Sequence, residues 1–418
     1  MAERWQSALG AFGFLGLAFA CCPAQLRRAI RWRTIASGLA LLLVLAVLAL
    51  RPPLNQLFGW AGRAVDVLLS FSNQGAAFVF GPLTDSAKFG FVFAFQVLPT
   101  LIFFAACMSV LYYVGLLPLV IRSAGKLLAR WLGTSGAESF STVADIFVGQ
   151  TEAPLVIRPY IATLTRSELM ACMTAGFATT AGGVLAAYVV MLRTWVPNIA
   201  GHLIACSVMC APASLVIAKL MLPEIELPAT LGDAQPTSPS EPRKPGGLLE
   251  AIAAGTTDGL ALAVNVGAML ISFLALTALV DFALSKFGAY VLHQPLSLER
   301  LLSWLFFPLA WLLGVSADDV PKVAALLGQK TVLNEFVAYT NMARRLGAEP
   351  GWLSERSKVI VSYALCGFAN FGSIGIQIGG YASLAPERRG DLAALAPRAM
   401  LAGLFTTCLV SCVAGVLL

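Results

Sequence analysis

The stretch that decides the fold is Ile146-Phe-Val-Gly-Gln-Thr-Glu-Ala-Pro-Leu155, which lies deep inside an apolar sequence. It places an amide, a hydroxyl and a carboxylate between Gly149 and Pro154. Ionisable groups at membrane depth are costly and usually mark the path of a substrate or an ion. A helix interrupted by glycine and proline is tolerated there only where it is buried in protein or lines a cavity. The stretch therefore predicts a broken helical turn at a polar site inside a membrane protein.

Composition supports this interpretation, because 58% of the 418 residues are hydrophobic and only 12% are charged. A helix needs about 20 apolar residues to cross a bilayer. Uncharged segments of about that length recur at 34–50, 91–121, 261–280, 359–384 and 399–418. We therefore expect an all-α polytopic membrane protein, and a soluble globular domain is excluded.

The charges and cysteines fit the same class. The net charge of +6 comes from arginines and lysines in short loops, as the positive-inside rule describes, and does not indicate a nucleic-acid partner. Most of the nine cysteines lie in apolar segments, and the two histidines are far apart, so no Cys/His metal site is expected. Residues 4–22 faintly resemble a cleavable signal, but the arginine-rich segment 23–33 is more typical of a loop after a first span.

Eight transmembrane helices are expected along the chain. They are 5–22, 34–50, 91–121, 168–195, 200–222, 250–283, 356–383 and 394–418. Residues 54–71 carry a helical apolar stripe and predict an additional interfacial helix within an N-terminal region of residues 1–90. Segment 223–247 holds six prolines and is expected to be a flexible linker.

Two further helical segments, 135–161 and 316–345, are interrupted too early to cross a membrane and predict re-entrant hairpins. Ser135 and Glu138 have the spacing of a capping box, and Ser316-Ala-Asp-Asp319 resembles that helix start. Gly328-Gln329 resembles Gly149-Gln150, which suggests a second hairpin tip there.

The spans that follow the hairpins also match, since one is interrupted at 179–183 and the other at 370–372. The order hairpin, broken helix, helix thus occurs in a first repeat, 91–222, and in a second repeat, 248–418. Arg388, Arg389 and Arg398 place the last loop inside, so the two repeats are inverted, although Arg344, Arg345, Arg356 and Lys358 disagree with this orientation. Inverted repeats with broken helices are typical of secondary transporters.

Four polar clusters fall at the two tips and the two breaks. They are Gln150/Thr151/Glu152, Thr179/Thr180, Glu335 and Asn370/Ser373. No basic cluster accompanies them, so we expect an uncharged ligand rich in donors and acceptors, such as a sugar joined to a heterocyclic base. Simpler roles remain open for several other residues. Thr180 could bond to its own backbone, Asn265 could join helices, and Glu168, Asp258 and Asp281 could be solvated.

Three motifs carry a resemblance to a known family. Gly149-Gln-Thr-Glu-Ala-Pro-Leu155, Asn334-Glu-Phe-Val-Ala-Tyr339 and Cys366-Gly-Phe-Ala-Asn-Phe-Gly-Ser373 resemble the signatures of concentrative nucleoside transporters of the bacterial eight-span form. The resemblance implies a sodium-coupled nucleoside symporter of the bacterial inner (plasma) membrane, and not an enzyme. It also implies a homotrimer whose spans 3 and 6 form a scaffold. A transport domain of the hairpins and spans 4, 5, 7 and 8 would move past that scaffold as an elevator.

The resemblance also implies roles for particular residues. Those expected to contact the nucleobase are Gln150, Thr151, Glu152, Val184 and Leu262. Those expected at the ribose are Glu335, Phe368, Asn370 and Ser373. The sodium ligands would be Asp145, Val148, Thr179 and Thr180. The family usually has asparagine where this chain has Asp145, and a buried carboxyl can be protonated, so a proton is the alternative coupling ion. No other cofactor is expected.

Overall fold

The computed structural model describes residues 2–231, 247–291, 294 and 296–418, and these residues are helical with no strand. Before the first repeat lie α1 (Ala2–Ala20), α2 (Trp32–Leu50), α3 (Gln56–Phe80) and α4 (Ser86–Phe89). The first repeat holds α5 (Phe93–Gln96), α6 (Leu98–Tyr113), α7 (Leu116–Leu132), α8 (Gly136–Asp145), α9 (Ala153–Val156), α10 (Arg166–Ala178), α11 (Gly182–Leu192) and α12 (Ile199–Met221). The second holds α13 (Leu248–Val291), α14 (Leu298–Leu312), α15 (Val320–Val332), α16 (Glu335–Ala348), α17 (Glu355–Leu365), α18 (Phe371–Leu384) and α19 (Arg389–Leu417).

Six helical segments of the described chain are long and apolar enough to cross a membrane. They are 32–50, 93–113, 166–192, 199–221, 248–291 and 386–417. The expected spans 1 and 7 are helical, as α1 and as α17 with α18, but are not among these six. The long helix α13 packs against α6, while α10, α12, α17 and α19 pack together.

Both predicted hairpins are present. Hairpin 1 runs through α8, a tip at 146–152, α9 and a 3₁₀ segment at 158–163. The predicted capping box starts it, since Ser135 Oγ accepts from the Glu138 N–H at 3.3 Å and Glu138 Oε1 accepts from the Ser135 N–H at 2.8 Å. Hairpin 2 consists of α15 and α16 joined at residues 333–334.

The prediction that Gly328-Gln329 forms the second tip is wrong. Both residues lie inside α15, five residues before the turn. Gly328 is small because α15 approaches α14 there. A Cβ at this position would lie 2.5 Å from the Leu302 Cβ.

The prediction of one continuous span over 91–121 is also wrong. Helix α6 ends at Tyr113, Gly115 adopts a φ of +84°, and the chain turns into α7. Leu117 and Ile121 lie on the buried face of α7, and Arg122 is exposed. The uncharged run concealed this turn because its residues suit a lipid-facing span and an amphipathic helix equally well. The interfacial helix is longer than expected, since α3 continues to Phe80.

Part of the expected linker is bound to hairpin 1. The Gly136 N–H donates to the Thr230 carbonyl at 3.2 Å, and the Ala137 N–H donates to Thr230 Oγ1 at 3.1 Å. These two N–H groups at the start of α8 would otherwise lack helical partners. Residues 232–246 of the expected linker lie outside the described residues.

A buried ion cluster joins hairpin 1, α12 and the segment after α12. Lys219 Nζ lies 2.7 Å from Glu138 Oε2 and 3.4 Å from Glu224 Oε2. Glu168 lies nearby in a second capping box, where its Oε2 accepts from the Thr165 N–H at 2.8 Å. The expectation that Glu168 is solvated is therefore wrong, because this carboxylate is 1% exposed.

Lys219→Met should destabilise the fold strongly. The change leaves the carboxylates of Glu138 and Glu224 buried without their cation, which costs about 3–5 kcal/mol. We expect a large fall in the midpoint of thermal unfolding of the purified protein. Lys126→Met, on the exposed face of α7, is the control and should change the midpoint little. Equal midpoints for the two variants would contradict this role of the cluster.

Candidate functional site

The two hairpin tips and the break in α17–α18 meet at one cavity of about 910 Å³, counting its open mouth. Its walls come from both repeats and from the long helix α13. All nine residues predicted for substrate binding line it. They are Gln150, Thr151, Glu152, Val184, Leu262, Glu335, Phe368, Asn370 and Ser373. Residues far apart in the sequence are thus brought to one place.

One end of the cavity is built around the Glu335 carboxylate, which is 3% exposed. Its Oε2 accepts from Asn370 Nδ2 at 2.9 Å and its Oε1 accepts from the Tyr188 hydroxyl at 3.2 Å. Asn370 also begins α18, because its Oδ1 accepts from the Ser373 N–H at 2.8 Å. Helix capping therefore fixes the orientation of the amide that faces Glu335.

Sequence analysis missed Tyr188. Its ring stacks on Tyr339 with centroids 4.3 Å apart, and this packing directs its hydroxyl to Glu335. The aliphatic run around Tyr188 in α11 gave no sign that this residue would contact hairpin 2.

The other end of the cavity is an amide chain that joins the repeats. Gln150 Nε2, at the tip of hairpin 1, donates to Ser373 Oγ at 3.3 Å. Gln377 Nε2 donates to Gln150 Oε1 at 3.2 Å and to the Met173 carbonyl at 3.0 Å. Gln377 was also missed, although a glutamine one turn after Ser373 in an uncharged span was a usable signal. Thr151 and Glu152 are exposed to the cavity.

The wall opposite the hairpins is apolar and belongs to α13. It holds Leu262, Val266, Leu270 and Phe273. A second cavity of about 1300 Å³ shares Glu152, Val184 and Leu262 with the first and continues between α6, α13 and hairpin 1. The two cavities adjoin at these shared residues, where hairpin 1 faces α13.

The four residues predicted to bind sodium divide into two groups. Asp145 ends α8 and is 1% exposed, and neither of its oxygens receives a hydrogen bond from the described part of the chain. It lies beside the last turn of α10, since a Cβ added at Gly176 would be 3.4 Å from its Oδ1. Thr179 begins the break that follows α10, and Val148 lies in the tip of hairpin 1. The tip and the break are hydrogen-bonded to each other, because the Gly182 N–H donates to the Phe147 carbonyl at 3.0 Å.

Thr180 faces the other repeat. Its Oγ1 accepts from the Gly367 N–H at 2.8 Å and lies 3.1 Å from Cys366 Sγ. The two breaks are in close contact here, because a Cβ at Gly367 would be 2.5 Å from the Ala178 carbonyl oxygen. The simpler expectation, that this hydroxyl bonds to its own backbone, is not what the structure shows.

An unpartnered buried carboxylate beside a helix C-terminus favours a bound cation. The C-terminal end of a helix carries partial negative charge, so it adds to the negative potential at Asp145. A buried charge without a partner is costly. Carboxylate, carbonyl and hydroxyl oxygens, which these four residues carry, are ligands that a hard cation prefers. The residues present therefore fit a sodium ion, and a proton on Asp145 would relieve the same charge.

Two inverted repeats, broken helices and a polar cavity between them are the architecture of secondary transporters. Comparison with known families agrees. Residues 202–415 match the family described as Na+ dependent nucleoside transporter C-terminus, residues 9–83 match its N-terminus, and residues 94–195 match a nucleoside recognition gate. The chain belongs to the Na+ dependent nucleoside transporter family, which is a family of transporters and not of enzymes.

Relatives are found in mammals and bacteria. Sodium/nucleoside cotransporter 1 of Rattus norvegicus is 43% identical over 99% of this chain and 64% of its own length. The chain thus spans less than two thirds of that relative. An uncharacterized transporter of Haemophilus influenzae is 44% identical over 96% of this chain and 94% of its own length.

Solved structures of a similar protein, CNTnw, have the same fold. An inward-facing, substrate-bound state is 41% identical, covers 99% of this chain and 98% of its own, and superposes with a TM-score of 0.91. An outward-facing variant is 39% identical, covers 100% and 98%, and also gives a TM-score of 0.91.

Thr180→Val should lower stability, because it leaves the buried Gly367 N–H without its acceptor. The expected cost is about 1–3 kcal/mol in the free energy of unfolding. Thr174→Val is the matched control, since the Thr174 hydroxyl bonds to the Met170 carbonyl of its own helix. Chemical denaturation of both purified variants measures the difference. A control variant that is as unstable as Thr180→Val would refute the contact between the breaks.

Proposed function

We propose that the protein is a sodium-coupled symporter that imports nucleosides by alternating access. The observation that carries this proposal is the single cavity where Gln150 and Ser373 from opposite repeats are hydrogen-bonded and Glu335 faces Asn370. The cavity joins polar groups at one side to an apolar wall at the other. A nucleoside has the same division, with hydroxyl groups on its sugar and a flat base. The similarity to sodium/nucleoside cotransporter 1 of Rattus norvegicus and to the substrate-bound state of CNTnw supports the choice.

The ribose is assigned to the end around Glu335. This carboxylate can accept from sugar hydroxyls, while Asn370 and Ser373 can donate or accept. Phe368 supplies an adjacent apolar surface. Asn370 and Tyr188 both donate to this carboxylate, so sugar hydroxyls that bind to it would compete with or add to these two hydrogen bonds. The net free energy then depends on how well the sugar matches these positions.

The nucleobase is assigned to the tip of hairpin 1. Gln150, Thr151 and Glu152 present donors and acceptors there, and Val184 and Leu262 line the adjoining wall on which a base can pack. Among the described residues, no lysine or arginine lines this cavity, which disfavours an anionic substrate.

Sodium is the proposed coupling ion, with Asp145, Val148, Thr179 and Thr180 as its oxygen ligands. The support is the unpartnered carboxylate of Asp145 beside the end of α10. A bound sodium ion would neutralise this charge. The tip of hairpin 1 is hydrogen-bonded to the break between α10 and α11. An ion that orders this break would therefore also position Gln150, at the tip, for the nucleobase. Proton coupling is the alternative, since a protonated Asp145 would also remove the charge.

Alternating access is assigned to movement of the hairpins past a scaffold of α6 and α13. The cavity between α6, α13 and hairpin 1 supports this, as do the outward-facing and inward-facing structures of CNTnw. We further propose that the protein is a homotrimer in a bacterial plasma membrane. The support is the bacterial relative of similar length and the exposed apolar surface of α13, where Leu260, Val264 and Ile271 lie.

Replacing Na+ by choline should abolish concentrative uptake of labelled uridine into proteoliposomes. Asp145→Asn should keep uptake dependent on Na+ but require more Na+, because the amide retains an oxygen ligand and loses the charge. Uptake is measured between about pH 5.5 and 8, a range in which a buried carboxyl can titrate. Uptake by the unaltered protein that ignores Na+ and follows the proton gradient would refute sodium coupling.

Tyr188→Phe should weaken uridine binding about 10-fold, because a hydrogen bond to a charged group contributes about 1.5–3 kcal/mol. Tyr339→Phe is the matched control. It belongs to the same aromatic stack, but its hydroxyl donates to the Ser362 carbonyl at 2.7 Å. Equilibrium binding to the purified variants gives both dissociation constants. If the two variants bind uridine equally well, Tyr188 does not act on Glu335.

A further inference from the structure

Lys330 is a buried cation that the assignments above do not use. It lies in the last turn of α15, in the first arm of hairpin 2, and is 0% exposed. Its Nζ donates to the carbonyls of Ala364 and Cys366, both at 2.8 Å, and to Thr407 Oγ1 at 3.1 Å. None of these three partners carries a formal charge.

The two carbonyls belong to the end of α17, where the broken span leaves backbone acceptors without helical donors. Such acceptors must be satisfied when they are buried. The Lys330 ammonium donates to two of these carbonyls and also interacts favourably with the partial negative charge of the helix C-terminus. Lys330 therefore holds the break at the point where the chain continues to Phe368 and Asn370.

The first repeat has the opposite charge at the matching place. Asp145 also lies in the last turn of the first arm of its hairpin, is buried, and faces the last turn of the broken helix that follows. Its oxygens accept no hydrogen bond from any described residue, whereas all three Lys330 hydrogen bonds are made within the protein. The first repeat thus has an unpartnered carboxylate at its break, and the second repeat has a cationic side chain there.

We propose that the Lys330 ammonium is a built-in cation of the second repeat. It occupies the position, between the first arm of the hairpin and the end of the broken helix, that corresponds to the coupling-ion site in the first repeat. Lys330 is then a positioning residue, acting on the ribose through the 366–370 segment and Asn370. The chain would couple transport to one cation, bound at hairpin 1. This inference rests on the proposed function. It adds a stoichiometry of one coupling cation per chain and a structural origin for the selectivity towards ribose.

The consequence for binding is specific to the sugar. Asn370 and Glu335 are placed 2.9 Å apart by the segment that Lys330 holds. If that segment loses its cation, contacts to the ribose hydroxyls weaken, while the Na+ ligands in the first repeat stay in place. Uridine and 2′,3′-dideoxyuridine should then bind with more similar affinities.

The test uses purified full-length protein and three equilibrium measurements, which are the affinities for uridine, for 2′,3′-dideoxyuridine, and for ²²Na⁺ without nucleoside. The unaltered protein should bind one Na+ per chain and prefer uridine. Lys330→Met should weaken uridine binding by about 10-fold or more, with the preference over the dideoxynucleoside largely lost, because buried acceptors are left unpaired. Its affinity for Na+ should change less than about 3-fold. Lys322→Met is the control, since this lysine lies on the same helix but pairs with Asp319 at 3.2 Å at its start, and binding should be unchanged.

Thr407→Val provides the test if Lys330→Met does not fold. This change removes one hydrogen-bond acceptor of the Lys330 ammonium and keeps the side-chain volume. It should reduce the preference for uridine in the same direction, with Na+ binding unchanged. The inference would be overturned if Thr407→Val and any folded Lys330→Met keep the full preference for uridine over 2′,3′-dideoxyuridine. It would also be overturned if the unaltered protein binds two Na+ ions per chain. Either result would leave the proposed function intact. Unaltered protein that binds no uridine would overturn both.

Discussion

The structure depends on how it compensates polar groups that are buried at membrane depth. Glu335 is bonded to Asn370 and Tyr188, and Lys330 is bonded to the end of α17, so these two buried charges of the second repeat have partners within the protein. Asp145 in the first repeat has no hydrogen-bond partner among the residues that the structure describes. Since a buried charge without a partner costs several kcal/mol, the first repeat favours a state in which a cation or a proton is bound. This difference between the repeats gives a physical reason for the proposed coupling of substrate movement to an ion.

The contact between the two helix breaks gives the two sites a common boundary. Thr180 lies in the break beside Asp145, and its hydroxyl accepts from Gly367 in the break that leads to Asn370. Gln150 and Ser373 form a second connection between the repeats. An ion that orders the first break would therefore act on a surface that is already hydrogen-bonded to the proposed nucleoside site. Two ligands that stabilise one arrangement of these contacts must strengthen each other's binding.

Local sequence signals were sufficient for the hairpins and the breaks. The capping spacing at Ser135, the glycines after Thr180 and the polar tips each predicted an interruption that the structure contains. They failed where a residue's role depends on distant packing. Gly328 appeared to mark a tip but makes room for Leu302, and Glu168 is buried by α12 and its neighbours rather than solvated. Tyr188 and Lys330 carried no local sign, because their partners are more than 30 residues away in the sequence.

If a nucleoside and a cation occupy sites on one hydrogen-bonded unit, as proposed, each must improve the binding of the other. The decisive experiment is a titration of uridine into the purified protein at several Na+ concentrations, with the reciprocal ²²Na⁺ titration at several uridine concentrations. We expect Na+ to lower the uridine dissociation constant and uridine to raise the affinity for Na+ by the same factor. A uridine affinity that does not depend on Na+ would contradict it.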